Sequence, residues 1–161
     1  MGSHTPRSLL LAASCIITPL MIGFIGSLVT MPNIPTWFAH LNKPWFSPPN
    51  WIFGPVWTLL YILMGVSLWL VIRNGLSTPD IKAGSLLFTV QLLFNLLWSF
   101  VFFGMQAPGF GLLIILILFV LIVATMITFR KVSRQAFILL IPYLCWVGFA
   151  TVLNAALYLL N

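Results

Sequence analysis

Residues 110–129 read FGLLIILILFVLIVATMITF, twenty positions without one charged side chain. A helix rises about 1.5 Å per residue and the hydrocarbon core of a bilayer is about 30 Å thick, so this run is long and apolar enough to span a membrane. Working outward, the same reading applies to residues 8–31, 51–72, 83–105 and 135–160, whose bodies hold no ionisable group other than Tyr or Cys. The fold expected is all-α: an integral membrane protein built as a five-transmembrane-helix bundle, one domain over residues 1–161. Composition agrees, with 61% of residues hydrophobic and 5% charged, where a soluble domain carries about a quarter charged. Mean hydropathy is +1.14.

Arg7 before the first stretch gives it the look of a signal peptide. Its apolar run exceeds the usual h-region of about 7–15 residues, so it is read as a retained helix. Gly2-Ser3-His4 has the look of an expression scar and is set aside. The net charge of +6 would suggest nucleic acid in a soluble protein, but here the basic residues lie between spans, so no nucleic-acid partner is expected. Arg7, Arg73, Lys82, Arg130, Lys131 and Arg134 share one side of the predicted topology, and Lys43 alone holds the other. By the positive-inside rule the N-terminus is expected to face the cytoplasm of a bacterial inner membrane. Cys15 and Cys145 lie apart from any metal-ligand spacing and read as small buried apolar side chains, with neither a disulfide framework nor a zinc site.

One connection differs in kind. Residues 32–50 hold Pro32, Pro35, Pro44, Pro48 and Pro49, and Trp37, Trp45, Trp51 and Trp57 cluster in and just after them. Proline fixes φ and removes an amide donor, so the segment is expected to break from the first span into a compact surface cap. Thr36 is placed to start a short turn ended by Lys43-Pro44. Ser47 is placed to cap the second span, with Pro48 at its first position. Asp80, the one carboxylate side chain, is expected to cap the third span. Arg130, Lys131 and Arg134 read as topology anchors. Pro19 and Pro142 should bend their helices, and Gly23-x-x-x-Ser27 permits close approach within the bundle or between copies.

Polar groups in lipid need partners, so intramembrane stripes should face inward. Gln91, Asn95, Trp98 and Phe102 share one face of the third span, and Tyr143, Trp146, Ala150 and Asn154 one face of the fifth. Two roles suit them: hydrogen bonds between helices, or an apolar and aromatic ligand cavity with a few polar groups to orient the guest. Indole N–H groups at Trp57, Trp98 and Trp146 call for acceptors; Trp37, Trp45 and Trp69 suit an interfacial belt equally well. With no Asp, Glu, Lys or Arg inside a span, a carboxylate proton relay is not expected. With only His4 and His40, both outside the spans, neither is triad hydrolysis or haem ligation by an intramembrane His.

The run Trp37-Phe38-Ala39-His40-Leu41-Asn42-Lys43-Pro44-Trp45-Phe46-Ser47-Pro48-Pro49-Asn50-Trp51, continuing to Gly54-Pro55-Val56-Trp57 and Leu60-Tyr61, resembles the signature of the tryptophan-rich sensory protein / translocator protein family (TspO/MBR, peripheral benzodiazepine receptor-like). Gln91-Leu92-Leu93-Phe94-Asn95-Leu96-Leu97-Trp98, Pro142-Tyr143-Leu144-Cys145-Trp146, Ala150 and Leu153-Asn154 extend the resemblance over nearly the whole chain. It implies a five-helix bundle, often a homodimer, that binds porphyrins in a pocket closed by the first loop. Carried over by residue, the ligand set is Trp57, Tyr61, Gln91, Asn95, Trp98, Tyr143, Trp146 and Ala150, with Trp37, Lys43 and Trp45 as the loop lid. No cofactor is required beyond porphyrin as ligand, and no metal is implied. Two positions depart from the family. Phe46 stands where a Trp is common. Ala155 stands where animal members have the tyrosine of their sterol pattern, and no Lys or Arg follows Tyr158, so sterol binding is not expected.

The function implied is a membrane porphyrin (tetrapyrrole)-binding sensor, regulator or carrier in tetrapyrrole or oxidative-stress handling. The alternatives are a light- and oxygen-dependent porphyrin-degrading enzyme, with Trp57 and Trp146 as its catalytic indoles, or a transporter of lipid-like molecules.

Overall fold

The computed structural model describes residues 6–73 and 75–161; Gly2-Ser3-His4 lies outside them. Among the described residues five helices are long and apolar enough to cross a bilayer: α1 (Pro6–Phe38), α2 (Asn50–Ile72), α3 (Pro79–Gly104), α4 (Pro108–Val132) and α5 (Arg134–Leu160). The protein is a multi-pass integral membrane protein. Around the bundle α1 packs on α2 and α3, α3 on α4, and α4 on α5, which returns to α2. Leu113, Leu116, Val120 and Ile127 of α4 point outward, where lipid replaces water as solvent, while Met64, Phe129 and Tyr143 are wholly enclosed.

Lipid tails are as apolar as leucine, so helices here associate through close packing and interhelical hydrogen bonds. Gly65 supplies the closest approach: a Cβ on it would lie 2.7 Å from the Cys15 carbonyl oxygen, so α1 rests directly on the α2 backbone. Gly23 faces the Tyr61 ring, which places the small-residue pair of α1 inside the bundle. Farther along, the buried Ser67 hydroxyl donates to the Ala136 carbonyl at 2.8 Å and ties α2 to α5.

The proline segment departs from expectation. Rather than starting a separate cap, Ile34–Phe38 forms a π turn that continues α1 past Pro32 and Pro35. A wider turn lets the chain pass a ring that cannot donate. Side chains serve nearby carbonyls, with Asn33 Nδ2 donating to Val29 O and Thr36 Oγ1 to Pro32 O, both at 2.8 Å. Ser47 does not cap α2, because Pro48, as the residue before Pro49, is driven from the helical region and cannot be the first helical position. With Pro48 and Pro49 in succession the helix begins only at Asn50, and the Ser47 hydroxyl is buried without a partner among the described residues.

Thr78, not Asp80, caps α3. Pro79 holds Thr78 extended, and its hydroxyl accepts from the Ile81 amide at 3.3 Å. Asp80 falls in the first turn, where it favours the helix dipole and pairs with Lys131 at 3.2 Å. Ser133 caps α5 by accepting from the Ala136 amide. Near Pro142, where a bend is expected, α5 is interrupted at Leu140 and divides into Arg134–Leu139 and Ile141–Leu160. Pro19 lies inside an uninterrupted stretch of α1. Cys15 is buried as expected, whereas Cys145 lies on the outer face of α5, on the side of the helix away from Tyr143.

At the end opposite the Asp80–Lys131 pair, residues 39–49 are fastened to the end of α5. The Asn42 amide donates to Asn161 Oδ1 at 2.9 Å, and Asn161 Nδ2 donates to the Asn42 carbonyl at 3.1 Å. Alongside, α3 ends in a second π turn, Phe100–Gly104, and reverses through Gln106 at φ 52°. Gln106 Nε2 then donates to Asn33 Oδ1 at 3.2 Å.

Candidate functional site

Gly54, Trp57, Thr58 and Tyr61 recur at three- and four-residue steps and so share one face of α2. That face forms one wall of a cavity of about 550 Å³ between α1, α2 and α3. Gly23, Ser27 and Thr30 of α1 line the second wall, and Trp98, Ser99 and Phe103 of α3 the third. Phe38 and Trp51 stand at the loop end. Phe24 and Met31 on α1 and Trp51 on α2 line the cavity and are also exposed on the outside of the bundle, so the mouth opens sideways between α1 and α2 toward lipid. Among the described residues no Asp, Glu, Lys, Arg or His lines it. This volume lies within the range of about 300–1,000 Å³ usual for small-molecule sites.

Aromatic stacking sets the walls. Trp57 lies over Tyr61 at 5.5 Å between centroids and 28° between planes, and meets Tyr143 edge-on at 6.3 Å. Trp98 stacks on Phe102 at 5.0 Å. Its indole N–H donates to Asn154 Oδ1 at 3.0 Å, and Asn154 Nδ2 donates in turn to the Pro108 carbonyl at 2.8 Å. Asn154 therefore holds Trp98 in place and does not itself line the cavity.

The amides of α3 meet each other's partners rather than open space. Tyr61 donates to Asn95 Oδ1 at 2.6 Å, Asn95 Nδ2 donates to the Tyr143 hydroxyl at 3.1 Å, and Tyr143 donates to Gln91 Oε1 at 2.8 Å. Gln91, Asn95 and Tyr143 are no more than 2% exposed. Of the expected ligand set, then, Trp57, Tyr61 and Trp98 line the cavity, while Gln91, Asn95 and Tyr143 form a chain behind it. Ala150 is buried in the core, and Trp146 packs against Phe53 at 5.9 Å and Phe149 at 5.5 Å. The Trp146 indole N–H is buried without a partner among the described residues.

The lid residues divide as well. Trp37 packs edge-on against Phe102 at 5.5 Å and faces a shallower crevice of about 370 Å³ beside Gln106, Tyr158 and Asn161. Lys43 donates to the Ala39 carbonyl at 3.2 Å and sits 4.9 Å over the Phe38 ring at the loop end of the cavity. Trp45 is 95% exposed and does not line the cavity. Phe46 takes the inward place instead, 6.3 Å from the Phe149 ring, with Trp45 edge-on against its outer side at 5.7 Å. Sequence reasoning passed over the α1 wall, where small residues give little signal beyond the Gly23–Ser27 spacing. It also passed over Thr58 and Ser99, although Thr58 follows Gly54 at the same four-residue step that places Trp57 and Tyr61 on one face. No group of three or more His, Cys, Asp or Glu is placed to hold a metal among the described residues.

The sequence profile described as "TspO/MBR family" matches residues 15–159. The chain is 44% identical over 155 residues to the "Tryptophan-rich protein TspO" of Chlorobaculum tepidum, covering 96% of this chain and 98% of that one. With the protein of the same name in Archaeoglobus fulgidus it shares 44% identity over 96% of this chain and 99% of the other. The human "Translocator protein" is 37% identical over 86% of this chain and 82% of its own.

Proposed function

This chain belongs to the TspO/MBR family, and on that premise we propose that it binds a porphyrin or similar flat tetrapyrrole within the membrane, as a sensor, regulator or carrier in tetrapyrrole or oxidative-stress handling. The observation that carries this reading is the uncharged cavity between α1, α2 and α3, walled by Trp57, Tyr61 and Trp98 and open to lipid. A macrocycle is a flat apolar disc that such rings can stack against. Its propionate groups would remain at the loop end, where Lys43 supplies a cation. Porphyrin is the guest on this reading, and no resident cofactor is needed. The basic side, with Arg7, Arg73, Lys82, Arg130, Lys131 and Arg134, faces the cytoplasm of a bacterial inner membrane, and the protein pairs as a homodimer.

Binding is favoured over catalysis by the chain behind the wall. Tyr61 and Tyr143 donate to amide oxygens, which are poor proton acceptors, so a phenol oxidised there has no base to take its proton. An enzymatic role would rest on the indoles of Trp57 and Trp146 alone. The sideways mouth also suits a carrier of lipid-like molecules.

Titration of the nanodisc-held protein with protoporphyrin tests the reading through saturable quenching of tryptophan fluorescence. Two aromatic contacts of about 0.5–1.5 kcal/mol each lead us to expect a loss of about tenfold in affinity for the Trp57→Phe, Trp98→Phe double variant. Unchanged affinity would remove the cavity from the account, and absence of saturable quenching would remove the porphyrin.

A further inference from the structure

The direction of the buried hydrogen-bond chain determines what the cavity wall can offer a guest. Tyr143 has one hydroxyl hydrogen, and it goes to Gln91 Oε1. Asn95 therefore turns its NH2 toward Tyr143 and its carbonyl toward Tyr61, and Tyr61 must donate. A phenol has one donor and two acceptor lone pairs. With its hydrogen committed at 2.6 Å, Tyr61 can meet a guest only as an acceptor.

Two other hydroxyls on the wall are committed in the same sense. Ser27 donates to the Phe24 carbonyl at 2.7 Å and Thr58 to the Gly54 carbonyl at 2.9 Å, each within its own helix. Trp98, the indole of the α3 wall, has its N–H on Asn154. Thr30 and Ser99 are hydroxyls that can turn either way, the exposed Asn50 amide at the loop end offers donor and acceptor alike, and Trp57 carries a donor, but Tyr61, at 8% exposure, is the most deeply set polar group on the wall.

We propose that Tyr61 makes the cavity selective for hydrogen-bond donors: a flat apolar guest bearing an N–H or O–H on its inserted edge binds in preference to one of the same shape lacking it. The proposal deepens the ligand-binding reading of the same cavity and rests on it for the location, not for the identity of the guest. Gln91, Asn95 and Tyr143 are positioning residues, because they hold the Tyr61 hydrogen away from the cavity without touching a guest.

Carbazole and N-methylcarbazole, flat tricycles that differ at one N–H, provide the test by equilibrium dialysis against protein-loaded and empty nanodiscs. One hydrogen bond of about 1 kcal/mol corresponds to about fivefold, so carbazole should bind about five times more tightly to the wild type. In Tyr61→Phe the two should bind within about twofold of each other. Tyr143→Phe, whose side chain is 0% exposed and outside the lining of this cavity, frees Asn95 to turn and should narrow the preference as well, with helicity by circular dichroism unchanged. Equal binding in the wild type, a preference that survives Tyr61→Phe, or no saturable carbazole binding would each overturn the proposal. A protein that discriminates the carbazoles yet does not bind protoporphyrin would sink the porphyrin reading and leave donor selection standing.

Discussion

Adding one methyl group at Gly65 should separate the two helices that form the mouth of the cavity. The Cβ of Gly65→Ala would fall 2.5 Å from Ile16 Cα and 2.7 Å from the Cys15 carbonyl oxygen. Both neighbours are backbone, so neither can rotate away, and relief to an ordinary contact of about 3.5 Å moves α1 outward by roughly 1 Å. Overpacking of this kind costs about 1–3 kcal/mol, partly offset by the better helix propensity of alanine, about 1 kcal/mol in water. The net expected change is therefore a loss of about 0–2 kcal/mol, read as reversible unfolding in a denaturing detergent. Because Gly23 and Ser27 ride on the same helix and line the cavity, guest affinity should fall with stability. Gly54→Ala is the control: it lies on the same helix and lines the same cavity, but its Cβ would meet nothing within 4 Å. With the propensity gain and no clash, it should match wild type or exceed it by up to about 1 kcal/mol, leaving Gly65→Ala about 1–3 kcal/mol less stable than the control. If Gly65→Ala were as stable as Gly54→Ala, the direct contact of α1 with the α2 backbone would be refuted.

Asn154→Leu removes the acceptor of the Trp98 indole and the donor to the Pro108 carbonyl; we expect a loss of about 1–3 kcal/mol, from buried groups left unpaired, and an altered near-ultraviolet circular dichroism signal from Trp98. Lys43→Ala should weaken protoporphyrin binding while leaving its dimethyl ester unaffected, since only the free acid carries a charge for the ammonium at the loop end; equal losses for both would assign Lys43 a packing role over Phe38. Asp80→Asn breaks an ion pair whose side chains are at least half exposed, so stability measured by thermal unfolding should change by less than about 1 kcal/mol.

The five spans were legible because the membrane imposes a length and a composition that few other structures need. The inward stripes were legible for a related reason, since lipid excludes unpaired amides and so places Gln91, Asn95 and Asn154 inside. What they meet there was not. Gln91 and Asn95 suit a ligand and a neighbouring tyrosine equally well from sequence, and only the placement of Tyr61 and Tyr143 shows that they meet side chains. Loop 32–50 was misread where local rules competed. Two prolines argued for a helix end that a π turn with side-chain donors avoids, and Ser47 looked like a cap, but Pro49 is itself extended and the helix starts only at Asn50, three residues on. Trp45 and Phe46 exchange the expected inward role because a turn, not a periodicity, decides which ring faces α5.

The central claim is that the guest sits between α1, α2 and α3, and a structure of the protein in lipid with protoporphyrin bound tests it most directly. The account predicts the macrocycle against Trp57, Tyr61 and Trp98, with its propionates toward Lys43 and the chain from Tyr61 to Gln91 intact. A macrocycle found in the crevice beside Trp37 and Tyr158, or between α2 and α5 against Trp146 alone, would contradict it.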